Sequence, residues 1–174
     1  MTMLISQQSA DALNEQIGAE FGAMLQYVAI SSYFDAEGLP ELAHHFAQQA
    51  EEERDHAMRI VKYVVDADAP LRIPAIEAPR AEFASAEEAV QLSLEWEMNV
   101  TDRINSLMDL AIGQNEHLTK TFLDWFVSEQ LEEVSSMDTL LRMIRRAGES
   151  GLMFVESHLA RRLHAGGDGA AVSS

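Results

Sequence analysis

The segment Glu53-Arg54-Asp55-His56 sets a carboxylate and an imidazole one helical turn apart, so both can face a single metal ion. Alone the pair says little, because a surface ion pair or a hydrogen-bonded histidine has the same spacing. It gains weight from carboxylates elsewhere in the chain. Glu20, Glu97 and Glu133 each interrupt a stripe of apolar residues at helical spacing, as Glu53 does, with Gln130 one turn before Glu133. Burying one unpaired carboxylate costs several kcal/mol or keeps it protonated, and burying four at one level requires compensating cations. Arg54 and Arg103 read as lying off these stripes, so bound metal is the simplest compensation. Oxygen-rich ligands with one imidazole suit iron or manganese, and zinc is compatible with them. Glu52 and Glu132 stand one step around the helix from Glu53 and Glu133. With Glu129 they border the same site and offer a further metal position. Glu51, Glu95 and Asp102 have a phase that points outward. His44, His45, His117, His158 and His164 lack comparable partners and read as structural or surface residues.

The elements that must position these residues are helices almost throughout, since strong helix formers dominate. The predicted helices are α1 at 6–36, α2 at 39–66, α3 at 86–113, α4 at 116–147 and a short α5 at 151–163. The buried stripe of α1 is Leu13, Ile17, Glu20, Met24 and Tyr27. That of α2 is Leu42, Phe46, Gln49, Glu53, His56, Ile60 and Val64. Pro40 falls in the first turn of α2, where its missing N–H costs nothing. Ser85 and Glu88 form a capping box at the start of α3. Short links make α1–α2 and α3–α4 antiparallel hairpins. The proline-bearing connector after α2 is different. A helix of this size is roughly 42 Å long, and some 18 extended residues reach about 60 Å. The connector can therefore cross the whole bundle and leave α2 and α3 parallel. The glycine-rich tail, 166–174, is expected to be disordered.

Length and composition suit one globular domain. The formal net charge of −17 disfavours nucleic acid and anionic membrane as partners and favours cations. No apolar run reaches the roughly 18 residues that span a bilayer, and the N-terminus lacks the pattern of a secretory signal. The absence of cysteine excludes a disulfide framework and thiolate ligands, and it is compatible with the cytoplasm.

At "LNEQIGAEF" and Tyr27 in α1, "QAEEERDH" in α2, "EMNVTDRIN" in α3 and "WFVSEQLEEV" in α4, the chain resembles the non-haem bacterial ferritins to about residue 163. The resemblance implies a ferritin-like domain over 1–165. This is an all-α four-helix bundle with a long crossover and a short fifth helix. It further implies a di-iron ferroxidase centre. Glu20, Glu53 and His56 would hold one iron, and Glu53 would bridge to a second held by Glu97 and Glu133, with Gln130 alongside. Glu52, Glu129 and Glu132 would form an accessory third iron site. Tyr27 would adjoin the centre, and Trp125 would stand near enough to donate electrons. Two departures separate the chain from the bacterioferritins: Ser136 stands where a second Glu-x-x-His histidine would, and Arg54 stands where a haem-ligating methionine would. No haem is expected.

The chemistry expected from this resemblance is oxidation of Fe(II) by O2 or H2O2, with Fe(III) mineralised inside a homo-oligomeric shell of about 24 subunits. The apolar side of α5 is expected to bury at a subunit junction. Three rivals remain at this stage: a di-iron oxidase or peroxidase without storage, a DNA-protecting mini-ferritin, and an acidic scaffold without metal.

Overall fold

The computed structural model describes residues 3–167, with side chains to residue 161. The helices are α1 Gln7–Ala36, α2 Pro40–Asp66, α3 Ala86–Gly113, α4 His117–Ala147 and, after a single 3-10 turn at Glu149–Gly151, α5 Leu152–Gly167. Helix α5 thus extends four residues beyond the expected end, and the rest of the predicted tail lies outside the described residues. Local chemistry explains the starts. Ser6 caps α1 by accepting the Ser9 N–H at 3.1 Å, and Ser85 caps α3 by accepting that of Glu88, also at 3.1 Å. Glu88 reaches back to the N–H of Ala84, one residue before the cap, rather than to Ser85 itself. Helix α2 has Pro40 in its first turn but no side-chain cap of its own. Glu156 of α5 supplies one, accepting the N–H groups of Glu41 and Leu42 at 2.9 and 2.8 Å. A buried carboxylate on the positive end of a helix ties α5 to the bundle.

Helices α1 and α2 form one hairpin, and α3 and α4 the other. Their interior divides into two apolar clusters. One gathers Phe34, Phe46, Val90, Met137 and Ile144, together with Leu152 and Val155 of α5. The other gathers Leu13, Ile17, Ile60, Ile104 and Phe126. The order in which each helix passes through the two clusters makes α2 and α3 parallel to each other and antiparallel to α1 and α4. On α5, Leu152, Val155 and part of Leu159 pack on the bundle of their own chain, while Met153 and Phe154 are exposed. A single apolar stripe on a short helix does not say which surface will cover it.

The crossover runs along α1, on a stripe of residues four apart. Asn14 donates to the Pro70 carbonyl and accepts the Arg72 N–H, and Gln26 does the same for the carbonyl and N–H of Arg80. These amides hold an extended strand of backbone that has no sheet to pair with. Between them, Gly18 lets it lie flat, and Gly22 makes room for Trp96 of α3. A Cβ on Gly18 would sit 2.3 Å from Pro74 Cγ, and one on Gly22 would sit 3.1 Å from Trp96 Cζ2. Alanine in place of a helical glycine normally gains up to about 1 kcal/mol. Gly18→Ala is expected to reverse that sign and lose about 1–3 kcal/mol, with faster proteolysis between residues 70 and 80. Urea unfolding and timed digestion check both effects, and a stabilised variant would contradict the packing described here.

Candidate metal centre

Each long helix contributes polar side chains in the interval between its two apolar stretches. On α1 Glu20 lies between Ile17 and Ala23, and on α2 Glu53 and His56 lie between Ala50 and Ile60. On α3 Glu97 lies between Val90 and Val100, and on α4 Gln130 and Glu133 lie between Phe126 and Met137. All six side chains are buried, Glu20 completely. The helical phase read from sequence thus becomes one polar layer sealed above and below by hydrocarbon.

Within this layer the contacts are specific. Gln16 Nε2 donates to Glu20 Oε1 at 2.8 Å, while Glu20 Oε2, equally buried, has no hydrogen-bond partner among the described residues. Glu53 Oε2 lies 3.5 Å from His56 Nδ1. The Tyr27 hydroxyl donates to Glu97 Oε1. Gln130 Nε2 faces the Glu97 carbonyl and Oε2 at 3.2 and 3.3 Å, and Thr101 Oγ1 at 3.2 Å. Two sets of ligand atoms lie within 4.8 Å of one another: Glu20, Glu53 and His56 in one, and His56, Glu129 and Glu133 in the other. His56 is common to both.

The electrostatics follow from this crowding. Burial, then the charge of Glu53, drives the Glu20 carboxyl well above the usual carboxylate range. Burial and Glu97 do the same to Glu53. Glu133 is pushed up to about 8 by burial and by the charges of Glu97 and Glu52. Glu97 is also raised, chiefly by burial, and the hydrogen bonds from Tyr27 and Gln130 act against that rise. Burial and the neighbouring carboxylates hold the Tyr27 hydroxyl well above its ordinary value. Among the described residues no lysine or arginine pairs with these carboxylates. Four anions that cannot all ionise, without a cation between them, are suited to binding one.

The remaining predicted residues sit at the edge. Glu129 is half-buried, while Glu52 and Glu132 are exposed. Glu52 and Glu132 line a cleft of about 280 Å³ between α2 and α4, together with Gln49, Glu133 and Ser136. The donor set joins Glu129 to His56 and Glu133 rather than to Glu52 and Glu132, although Glu129 and Glu132 are both close enough to raise the Glu52 carboxyl, after burial. Trp125 meets His56 edge-on at 5.4 Å, and the Arg59 guanidinium lies 3.9 Å from the Trp125 ring centroid. His44 and His117 are exposed, His45 and His158 are half-buried, and the side chain of His164 lies outside the described residues. Gln16 and Arg103 went unassigned in the sequence. The signal for Gln16 was its position one turn before Glu20, but nothing local links it to Arg103, whose Nε donates to Gln16 Oε1 at 3.1 Å.

The family model described as Ferritin-like domain matches residues 10–147. This chain belongs to the ferritin family, and its function is iron storage. The ferritin BfrB of Mycolicibacterium smegmatis is 43% identical over 155 residues, covering 89% of this chain and 85% of that one. The bacterial non-heme ferritin of Staphylococcus aureus strain USA300 is 35% identical over 161 residues, covering 91% and 97%. An open pore ferritin from the hyperthermophilic archaeon Archaeoglobus fulgidus superposes with a TM-score of 0.87 at 34% identity, covering 91% of this ferritin and 98% of that structure. No helix among the described residues is long and apolar enough to cross a membrane.

Proposed function

We propose that this ferritin loads its iron through a ferroxidase centre inside each subunit. The observation that carries the reading is the buried layer itself: carboxylates from four helices, with raised proton affinities and, among the described residues, no lysine or arginine paired with them. Glu20, Glu53 and His56 take one Fe(II). Glu53 extends to a second, which Glu97 and Glu133 complete with Gln130 beside them. Glu129, at the edge of the layer, takes a third iron together with Glu52 and Glu132, which line the adjoining cleft. Carboxylate oxygens are hard ligands and favour Fe(III) over Fe(II), so binding itself promotes loss of an electron. Two irons give up one electron each. One O2 with two protons becomes H2O2, or one H2O2 with two protons becomes two waters. Tyr27 orients Glu97 through its hydroxyl, and Trp125 packs edge-on against His56.

Fe(III) then collects as mineral within a shell of about 24 copies of this chain, whose acidic surface draws Fe(II) inward. The exposed Met153 and Phe154 of α5 supply apolar area for a neighbouring subunit. Aerobic loading followed by size-exclusion chromatography tests storage. An iron count far above the three proposed positions per subunit, on a large assembly, is expected. A count that stops at two or three supports a di-iron oxidase or peroxidase instead.

His56→Ala tests the ligand set. It removes one donor and leaves every carboxylate of the layer in place, so the shell should assemble. The fast phase of Fe(II) oxidation, followed by stopped-flow absorbance, is expected to slow by about tenfold or more, since even groups behind the ligands are worth that much. An unchanged fast phase would refute this assignment.

A further inference from the structure

The two oxygens of Glu20 are in unlike situations. Oε1 accepts a hydrogen bond from Gln16 at 2.8 Å, and Oε2 is buried with no hydrogen-bond donor among the described residues, its charged neighbour being the Glu53 carboxyl. Gln16 is itself almost fully buried, at 1% exposure, and its other amide atom is also committed. Gln16 Oε1 accepts from Arg103 Nε at 3.1 Å, and Arg103 Nη2 donates to the Glu15 carbonyl, also at 3.1 Å. A line of hydrogen bonds therefore runs from a half-buried guanidinium on α3, through an amide on α1, to one chosen oxygen of a carboxylate in the metal layer.

We propose that Gln16, anchored by Arg103, is a positioning residue that commits Oε1 of Glu20 to the protein and reserves Oε2 for a divalent first-row cation. The inference rests on the reading of Glu20 as an iron ligand. A glutamine is the side chain the position needs. Its amide donates to a carboxylate and accepts from a guanidinium at once, and Arg103 fixes which end faces which way. Leucine would fill the space but leave Oε1 without a donor. A guanidinium in direct contact with Glu20 would clasp both oxygens and neutralise the charge, in competition with the metal. The intervening amide lets Arg103 orient the ligand and polarise the hydrogen bond while its charge stays outside the layer. Outer groups of this kind typically contribute ten- to hundredfold to metal affinity.

The test is an anaerobic Co2+ titration of the assembled protein, read by the visible ligand-field bands of the bound ion and by the binding isotherm. Glu20→Ala is expected to remove one class of site and so identify it. In Gln16→Leu, Co2+ should bind that class about ten- to hundredfold more weakly, with altered bands and the remaining sites unchanged. Arg103→Leu acts from the surface and should give a smaller loss at the same class, partly recovered in Arg103→Lys, which keeps one donor for Gln16. In Fe(II) oxidation the loss should appear in KM more than in kcat. If Gln16→Leu does not fold, the two Arg103 variants decide the matter. Unchanged Co2+ isotherms and bands in folded Gln16→Leu and Arg103→Leu, beside a loss in Glu20→Ala, would overturn this inference alone. If Glu20→Ala also left Co2+ binding intact, the assignment of Glu20 as a ligand would fail with it.

Discussion

Glu53→Gln is expected to abolish fast Fe(II) oxidation and, in the same protein, to stabilise the metal-free subunit. Both effects come from one position. Glu53 is nearly inaccessible and shares a donor set with Glu20 and His56, and in the proposed centre it is the ligand common to both irons. Its carboxyl is raised first by burial and then by Glu97, with Glu133 and Glu52 adding to the repulsion. An amide of the same size removes the charge shared by both irons. The loss of rate should exceed the roughly hundredfold that a group behind a ligand can cost. Without metal, the amide also removes the need to choose between burying a charge and taking up a proton. A gain in stability is expected near neutral pH, because burial and then Glu97 hold this carboxyl well above its ordinary range. Stopped-flow oxidation and urea unfolding of chelator-treated protein measure the pair of effects. A carboxylate kept for structure would give the opposite pattern, with oxidation intact and the subunit weakened.

The features legible in the sequence were those set by local chemistry. Pro40, the Ser85 cap and the proline-bearing connector gave the helix limits almost to the residue, because caps and prolines act on their own turn. The phase of Glu20, Glu53, Glu97 and Glu133 survived folding because a helix repeats rigidly. Phase does not give distance, however. It put Glu52 and Glu132 beside the layer but did not show that they face an open cleft rather than the interior. Contacts between distant segments left no local mark. Asn14, Gly18 and Gln26 are unremarkable singly, and only the seated crossover gives their stripe a meaning. Glu156 reads as one more acid on a short helix until the uncapped start of α2 meets it.

The same conflict between burial and charge that makes the layer bind metal also weakens the empty fold. The pH at which each process occurs separates the two. A carboxyl whose folded pKa is raised binds more protons when folded, so its contribution to stability is full below its ordinary pKa and is lost as pH rises through the folded value. The metal-free protein should therefore lose stability between about pH 5 and pH 8. Glu133, raised to about 8, accounts for a few kcal/mol of that loss, and Glu20, Glu53 and Glu97 move in the same direction. The depressed carboxyls do not cancel it. Glu88 is held low by the Ala84 N–H and Arg80, and in Glu116 burial is outweighed by hydrogen bonds from Ser6 and Thr119. Those two contribute above their ordinary pKa and lose that contribution only as pH falls below it. With Co2+ or Zn2+ the slope should reverse, because the metal competes with the same protons and binds more tightly as they leave. General repulsion in a chain of net charge −17 also weakens the fold as pH rises, but added salt screens exposed charges far more than buried ones. Melting curves from pH 5 to pH 8 at high salt, with and without metal, should therefore still diverge, and Glu133→Gln should flatten the metal-free curve. Parallel curves would mean that the carboxylates of the layer do not share their protons with a metal.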